Sequence, residues 1–183
     1  MTAEGAPRRS ELRLHFLVLR SQAGDERAFA QLVDWFAERT LWYLESLVGP
    51  DAEDVQQEVW LSVYRSIRTL QDPRAFRQWL FRAARNHAID FLRRQKRERR
   101  LLELAARETA EPEEPEEERE LPISPAVLRA AMEGLPPTQR EVLSLRFWEN
   151  LSYAEIAMLV GCPIGTVRTR LHHAKRKLYQ LLR

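Results

Sequence analysis

Apolar residues recur every three or four positions along most of the chain, and sustained alternation of apolar and polar residues does not occur. This period is that of an amphipathic α-helix, whereas a half-buried strand would show a period of two. Glycine is scarce, with six residues in 183. We therefore predict an all-α protein.

Two helices are predicted before Pro50. Ser10 is expected to cap the first helix, which carries Leu12, Phe16 and Leu19 on its inner side and ends near Gly24. The second helix is expected to run from about Asp25 to the stop at Gly49-Pro50. Its predicted core stripe consists of Phe29, Leu32, Val33, Phe36, Thr40, Tyr43, Leu44 and Leu47.

Two further helices are predicted up to residue 97. The third opens with the acidic segment 51–54, where the helix dipole favours carboxylates. Its core side is predicted at Val55, Val59, Val63 and Ile67, joined by Trp60 and Tyr64. Asp72 and Pro73 are expected to cap and start the fourth helix. The predicted buried stripe of that helix is Phe76, Leu80, Ala83, Ala84, His87 and Phe91.

The net charge of +2 conceals a strong segregation of charge along the chain. Residues 82–100 contain eight basic side chains against two acidic ones, whereas residues 108–120 contain eight glutamates, one arginine and two prolines. The Pro-Glu segment cannot bury enough apolar surface to offset its ordering entropy. We predict a helical domain at 1–97, a flexible acidic linker at 98–123 and a second helical domain at 124–183.

The second domain carries the signature of a helix-turn-helix. Ser124-Pro125 is expected to open a short helix, and Thr138 with Glu141 to form a capping box for the next one. The inner positions of that helix are predicted to be Val142, Leu143, Leu145 and Phe147. Ser152 and Glu155 form a further capping box, and Gly161 stands where a left-handed turn is needed. The inner positions of the two helices joined there are predicted to be Ile156, Ala157, Leu159 and Val160, then Ile164, Val167, Leu171, Ala174 and Leu178.

The last helix has the residue types of a major-groove reader. Arginine can bind guanine bidentately, and hydroxyl or amine groups can contact phosphates. No acidic residue follows Glu155. The outward positions are predicted to be Thr166, Arg168, Thr169, Arg170, His172, His173, Lys175 and Arg176. The alternative is an exposed basic helix that ends an ordinary bundle.

Three segments in this order, at 51–67, 76–94 and 135–178, make the chain similar to the bacterial extracytoplasmic-function (group IV) sigma factors of RNA polymerase. The resemblance covers residues 23–182. It implies a region 2 helical bundle and a region 4 helix-turn-helix, which together direct promoter recognition, DNA melting and transcription initiation. The implied partners are core RNA polymerase, through the coiled coil of its largest subunit and its flap, and promoter DNA.

The resemblance also assigns roles to individual residues. It implies polymerase binding by Asp54, Gln57 and Glu58, for which an ordinary solvated helix edge is the alternative. It implies that the loop at 68–74 and the following helix bind and melt the minus-10 element. The alternatives are that Trp79 has only a structural role and that the arginines form an ordinary solvated face. The minus-10 candidates are Arg77, Trp79, Arg82, Asn86, Arg93 and Arg94. The outward residues of the last helix occupy the minus-35 reading positions.

Other features leave regulation open. In the family the linker threads a channel used by RNA, so its glutamates are interpreted either as a nucleic-acid mimic or as a solubilising spacer. The residues before Gln22 extend beyond the usual start, and Trp42-Tyr43 is bulky for its place in the family. An anti-sigma partner, a stress-responsive regulon and a monomeric free state are the remaining expectations.

Two other protein classes are compatible with parts of the sequence. An enzyme would need a catalytic constellation, but His87 with Asp90 and the pair His172-His173 match no such motif, and no cofactor or metal is expected. A repressor would be a symmetric dimer on paired half-sites, whereas this chain has two dissimilar basic modules. The lone Cys162 excludes an internal disulfide framework and is expected to be inert. No apolar run reaches about 18 residues and no secretory signal opens the chain, so a cytoplasmic protein is expected.

Overall fold

The computed structural model describes residues 5–103 and 131–181, with side chains for 10–98 and 131–181. Every regular element in these ranges is helical, which confirms the all-α fold. Among the described helices, none combines the length and the low polarity required to cross a bilayer. The α-helices are α1 (Gly5–Gln22), α2 (Glu26–Val48), α3 (Ala52–Ser66), α4 (Phe76–Glu103), α5 (Pro137–Phe147), α6 (Tyr153–Val160) and α7 (Ile164–Leu181). Short 3-10 helices occur at Gly49–Asp51, Ile67–Thr69 and Pro73–Ala75.

The first unit is built around α2, which packs against both α1 and α3. The predicted four-residue stride of α3 is confirmed, because Val55, Val59, Val63 and Ile67 are all buried. Of the two aromatic residues predicted beside it, Trp60 is half-buried, but Tyr64 is 50% exposed and lies outside the core. Edge-to-face aromatic contacts join α2 to α4, with ring centroids 5.6 Å apart for Phe36–Phe76 and 5.2 Å for Tyr43–Phe81. The buried part of the α2 stripe is Leu32, Phe36, Thr40, Tyr43 and Leu44, while Phe29, Val33 and Leu47 are half-buried.

A polar contact fixes how α3 lies on α2. The side-chain amide of Gln56 donates to the carbonyl of Ala37 at 2.5 Å and to Oγ1 of Thr40 at 2.8 Å. Thr40 is fully buried, and its hydroxyl donates to the carbonyl of Phe36. Since an unpaired buried polar group is costly, this network favours one register of the two helices.

The prediction for α1 is wrong in its start and in its buried side. The helix begins at Gly5, so Ser10 lies within it. Leu14, Leu17 and Val18 are buried, whereas the predicted inner residues Leu12, Phe16 and Leu19 are 67%, 59% and 54% exposed. The helix has apolar residues on two sides, and the packing against α2 selects one of them.

The second helix starts close to the predicted position, and Asp25 caps it: the Asp25 carboxylate accepts from the backbone N–H of Ala28 at 3.0 Å. That N–H, and next the guanidinium of Arg20, hold the pKa of Asp25 below its ordinary value of 3.8. A lowered carboxyl pKa stabilises the fold above the unfolded-state pKa, and this contribution is lost as the pH falls through the folded-state pKa.

We expect Asp25→Asn to unfold at lower urea concentration than the wild type at pH 6, because asparagine retains the cap acceptor but not the charge. The difference between the two proteins should shrink as the pH falls below 3.8. Urea midpoints at several pH values measure it. A gap of constant size down to pH values below 3.8 would contradict the charge explanation.

In α4 the core side differs slightly from the predicted stripe. Phe76, Leu80 and Ala84 are buried as predicted, but Phe81 and Ala88 complete the buried side. Ala83, His87 and Phe91 are half-buried at its edges. Asp72 accepts from the backbone N–H of Arg74, so Asp72 and Pro73 start the 3-10 turn that leads into α4 rather than the α-helix itself.

The second unit contains a helix-turn-helix formed by α6 and α7. The capping box at Ser152 and Glu155 is present in both directions, with donor–acceptor distances of 3.2 and 2.7 Å. Gly161 ends α6 in the left-handed region, at φ 71°. The predicted inner residues of α6 are buried, as are Val167, Leu171 and Ala174 of α7. At the ends of α7, Leu178 is half-buried and Ile164 is 44% exposed.

Two predictions for α5 are wrong. The N-cap is Pro136 and the helix begins at Pro137, so Thr138 lies inside the first turn and forms no capping box. Glu141 is instead buried. Val142, Leu143 and Leu145 are buried as predicted, but Phe147 at the end of the helix is 55% exposed. A proline at the first helical position determined the start of this helix.

A capping box was predicted at both Ser152 and Thr138 but forms only at Ser152, so the two positions provide a matched test. Ser152→Ala should destabilise the second unit by about 1 kcal/mol, because the N–H of Glu155 loses its acceptor. Thr138→Ala should leave stability within about 0.5 kcal/mol, as expected for an exposed side chain without a cap role. Urea unfolding of both variants measures the difference, and equal losses would contradict the assignment.

The chain divides into two compact units between Ala88 and Ile89, inside α4. The predicted domain limit at residue 97 lies further along the same helix, and residues 98–103 of the predicted linker continue α4. The proposed helix start at Ser124-Pro125 and the glutamate segment 108–120 lie outside the described residues. The domain limits therefore stay a prediction.

Candidate nucleic-acid interface

The face of α3 opposite the core is polar at its start and apolar further on. Asp54, Gln57 and Glu58 are all exposed, as their predicted role requires. Leu61 lies on the same face, because it follows Glu58 by three residues and Gln57 by four, and it is 56% exposed. Sequence reasoning missed Leu61, although its place between the polar positions of the helix marks it.

Glu58 is also connected to α4. Its carboxylate lies 3.6 Å from Nδ1 of His87, whose side chain is 29% exposed. His87 therefore lies at the boundary between α3 and α4 and has a carboxylate partner there, as expected for a histidine with a structural role. Its partner in the structure is a carboxylate of α3, while Asp90 pairs instead with Arg93 at 3.5 Å.

Four of the six minus-10 candidates share one side of α4. Trp79, Arg82, Asn86 and Arg93 follow one another at spacings of three, four and seven residues, which places them in one row of the helix. Arg82, Asn86 and Arg93 are exposed. Trp79 is half-buried and its ring lies 6.1 Å from that of Phe76, so its indole is anchored at the edge of the core.

The remaining two candidates lie elsewhere on α4. Arg77 precedes the buried Phe81 by four residues and is itself half-buried, so it lies on the core side. Arg94 is exposed but follows His87 by seven residues, in a different row. The structure thus separates Arg77 and Arg94 from the row of Trp79.

On α7 the exposed surface includes two neighbouring rows of polar side chains. Arg168, His172 and Lys175 form one row, and Thr169, His173 and Arg176 form the other; all six are exposed. The rings of His172 and His173 are 5.8 Å apart. Five of the described residues of α7 are basic and none is acidic. The helix presents cationic and hydrogen-bonding groups of the kind that contact base edges and phosphates.

Thr166 and Arg170 are half-buried, so the structure places them beside rather than within this surface. A guanidinium nitrogen of Arg170 lies 4.0 Å from the sulfur of Cys162 in the turn. The amine of Lys175 lies 5.2 Å from the ring centre of the exposed Phe147, a cation–π contact that sequence reasoning did not foresee.

The family described as "Sigma-70 region 2" matches residues 28–98, and that described as "Sigma-70, region 4" matches residues 126–178. The RNA polymerase sigma-H factor of Pseudomonas aeruginosa is 34% identical over 91% of this chain and 92% of its own length. The ECF RNA polymerase sigma-E factor of Escherichia coli K12 is 31% identical over 88% of this chain and 90% of its own length. The chain belongs to the extracytoplasmic-function sigma factor family.

Solved structures agree with this assignment. CnrH, in complex with the cytosolic domain of CnrY, aligns with a TM-score of 0.61 at 27% identity and covers 93% of this sigma factor and 97% of its own chain. The sigma factor RpoE of Bartonella quintana, in complex with the anti-sigma factor NepR, has the same fold, with a TM-score of 0.65 at 24% identity. It covers 84% of this chain and 96% of its own chain.

The predicted resemblance is therefore confirmed, and the sigma factor is a transcription initiation factor that acts with RNA polymerase at promoters. Its region 2 match contains α3 and most of α4, and its region 4 match contains α5, α6 and most of α7. The whole of α1 precedes the region 2 match.

Proposed function

We propose that this sigma factor divides its work among three helical faces. The exposed face of α3, with Asp54, Gln57 and Glu58, binds the coiled coil of the largest polymerase subunit. The row of Trp79 on α4 holds the separated strand of the minus-10 element. The two outer rows of α7 read the minus-35 element in the major groove and contact its phosphates.

The observation that supports this division best is the surface of α7. Its exposed rows are cationic or hydrogen-bonding, and the preceding helix α6 starts with a complete capping box and ends in the left-handed glycine turn that leads into α7. This is the arrangement in which a helix-turn-helix places the front of its second helix against base edges. Arg168 lies one turn into the helix, where a base contact is expected.

Several finer statements belong to the same proposal. Arg77 and Arg94 contribute through packing and general phosphate attraction, because they lie outside the row of Trp79. The chain has no catalytic role of its own, acts in the cytoplasm on a signal-responsive set of promoters, and is monomeric when free. An anti-sigma protein is its proposed regulator, in keeping with the protein complex in which CnrH was solved.

Transcription in vitro tests the proposal as a whole. Core RNA polymerase is mixed with the full-length chain and a library of genomic fragments, and the transcript start sites are mapped. We expect transcripts that share two spaced promoter elements and that require both proteins. Tight binding of the chain to duplex DNA without polymerase, combined with no specific transcript, would favour the repressor class instead.

Leu61 provides a test of the α3 face. We expect Leu61→Ala to weaken capture by core polymerase about fivefold, the equivalent of about 1 kcal/mol of lost apolar burial. Leu12→Ala is the matched control, since Leu12 is an exposed leucine on α1 and lies outside the proposed interface. Titration of labelled variants with core enzyme measures both. Equal affinity of the two variants would contradict a role of Leu61.

A further inference from the structure

The loop that joins α3 to α4 is held by the last residue of α1. The side-chain amide of Gln22 donates to the carbonyl of Ile67 at 3.0 Å and to that of Leu70 at 2.6 Å. A primary amide has two N–H donors, so these two bonds use both of them. The two carbonyls belong to the first residue of the 3-10 turn Ile67–Thr69 and to the residue that follows this turn. The amide of Gln22 therefore bridges the turn from end to end.

Gln22 lies on the side of α1 that packs into the first unit. It continues the row of Leu14 and Val18, both of which are buried, at spacings of four residues. Its own side chain is half-buried. Because the preceding positions of the row are fixed in the core, the amide reaches the loop from a rigid support.

The last turn of α1 is fixed as well. The N–H of Gly24 donates to the carbonyl of Ser21, and the N–H of Asp25 donates to that of Arg20, both at 3.0 Å. This pair of bonds is the pattern of a Schellman motif, which needs the positive φ that Gly24 adopts. A Cβ at Gly24 would lie 3.2 Å from Nη2 of Arg68, so the same turn leaves room for a side chain of the loop.

The loop itself is anchored through its main chain and two apolar side chains. Ile67 and Leu70 are buried, and the N–H of Leu70 donates to the carbonyl of Ile67 at 3.2 Å. The helix α1 also packs against the turn Pro73–Ala75, which leads into α4. The other polar side chains of the loop are exposed, namely Arg68, Thr69, Gln71, Asp72 and Arg74. The anchoring thus fixes the shape of the loop without burying these side chains.

The docking of α1 depends on other residues. Leu14, Leu17 and Val18 are buried, and this apolar contact should keep α1 on α2 when the amide of Gln22 is removed. What the chain would lose is the tie between the end of α1 and the two carbonyls of the loop. The conformation of the loop can therefore be changed without removing the helix that supports it.

We infer that Gln22 is a positioning residue for minus-10 recognition, which acts by setting the conformation of the loop at 67–74. The inference rests on the proposed function, in which the separated strand is held on α4, where this loop ends. It gives α1, which precedes the region 2 match, a part in base recognition. Base discrimination requires closely placed contacts, so a loosened loop should lose discrimination before it loses general affinity.

The test uses holoenzyme assembled from core polymerase and the full-length chain, bound to promoter templates that are unpaired across the minus-10 element. At each position the dissociation constant is measured with the preferred base and with a substituted base, and the ratio of the two constants is the discrimination. We expect Gln22→Met, which keeps a long unbranched side chain without a donor, to lower the discrimination at one or more positions about fivefold. Discrimination at the minus-35 element and capture by core polymerase should stay at wild-type values.

Two further variants serve as controls. Gln22→Lys is the rescue variant, because the ammonium group has three donors and can bind both carbonyls. It should restore the discrimination, since its added charge affects both constants of each ratio alike. Gln31→Met is the matched control, because Gln31 is exposed on α2 and its amide lies 3.4 Å from the carbonyl of Arg27 in the same helix. It should retain the wild-type discrimination.

Three outcomes would overturn the inference. The first is wild-type discrimination by Gln22→Met at every minus-10 position, whatever its thermal unfolding midpoint. The second is an equal loss in minus-10 discrimination, minus-35 discrimination and polymerase capture, which would indicate a general loss of structure. The third is a loss of the same size in Gln22→Lys, because the donor would then be irrelevant.

A shorter amide covers the case in which Gln22→Met does not fold. Gln22→Asn retains a donor but lacks one methylene group, so it cannot bridge the two carbonyls. It should lower the minus-10 discrimination, and a wild-type value would overturn the inference. If wild-type holoenzyme gives no specific transcript or has no minus-10 preference, the proposed function itself fails.

Discussion

Reversing the charges of Asp54 and Glu58 together, as Asp54→Lys and Glu58→Lys, should raise the dissociation constant for core RNA polymerase about tenfold. The two carboxylates are exposed on one face of α3 and four residues apart, so both are expected to face the same partner surface. Opposite charges across an interface accelerate association and orient the partners, whereas like charges repel. The loss should be largest at low salt, where screening is weakest.

A matched control is available on α2. Asp34 and Glu38 are also exposed carboxylates at a spacing of four residues, and they lie outside the proposed interface. Asp34→Lys with Glu38→Lys makes the same change in net charge and should retain wild-type capture. Equal retention of both double variants on immobilised core enzyme would reject the α3 interface. The thermal unfolding midpoint of each variant shows how much stability is lost with the contact between Glu58 and His87.

Arg168→Ala should reduce holoenzyme affinity for its preferred minus-35 element by about 1–3 kcal/mol, equivalent to roughly five- to 150-fold. Arg168 is exposed one turn into α7, where a bidentate contact to guanine fits the geometry of a helix-turn-helix. The preference at one base pair should disappear along with the affinity. Binding to a library of minus-35 variants measures both effects.

Lys177→Ala separates base reading from general attraction. Lys177 is exposed on the same helix, but it follows Arg168 by nine residues and therefore lies well behind the front of the helix that meets the base edges. Removing it should weaken binding slightly and equally for all promoter sequences, as expected for a phosphate contact. A promoter preference that is unchanged by Arg168→Ala would contradict the role proposed for that residue.

The sequence predicted the elements better than it predicted their buried sides. The two confirmed predictions each depend on a strong local signal. The stride of α3 follows from valines at every fourth position, and the turn at Gly161 from a glycine that adopts a positive φ. The assignment of α1 failed because both of its sides are apolar. Which side is buried depends on the packing against α2, which local periodicity cannot show.

The same reasoning explains the errors around α5. Thr138 and Glu141 have the spacing of a capping box, but the helix starts at Pro137, two residues earlier than a cap at Thr138 would allow, and Thr138 lies within the first turn. For the candidate site, the exposure of the side chains was predicted better than the rows into which they group on each helix. Arg77 was assigned with Arg82, yet the phase of α4 turns it towards the core, and only the buried positions of Phe81 and Ala88 reveal that phase.

The adjacent glutamines of α3 show how a polymerase-facing surface can be redesigned. Gln56 donates to the backbone of α2 and to Thr40, whereas the next residue, Gln57, has an exposed side chain that points away from α2. A graft that changes the affinity of this sigma factor for a foreign core enzyme can therefore exchange Gln57 freely. Gln56 and Thr40 must be transplanted as a pair, because Thr40 alone would lose its Gln56 partner and Gln56 alone would keep only the carbonyl of Ala37.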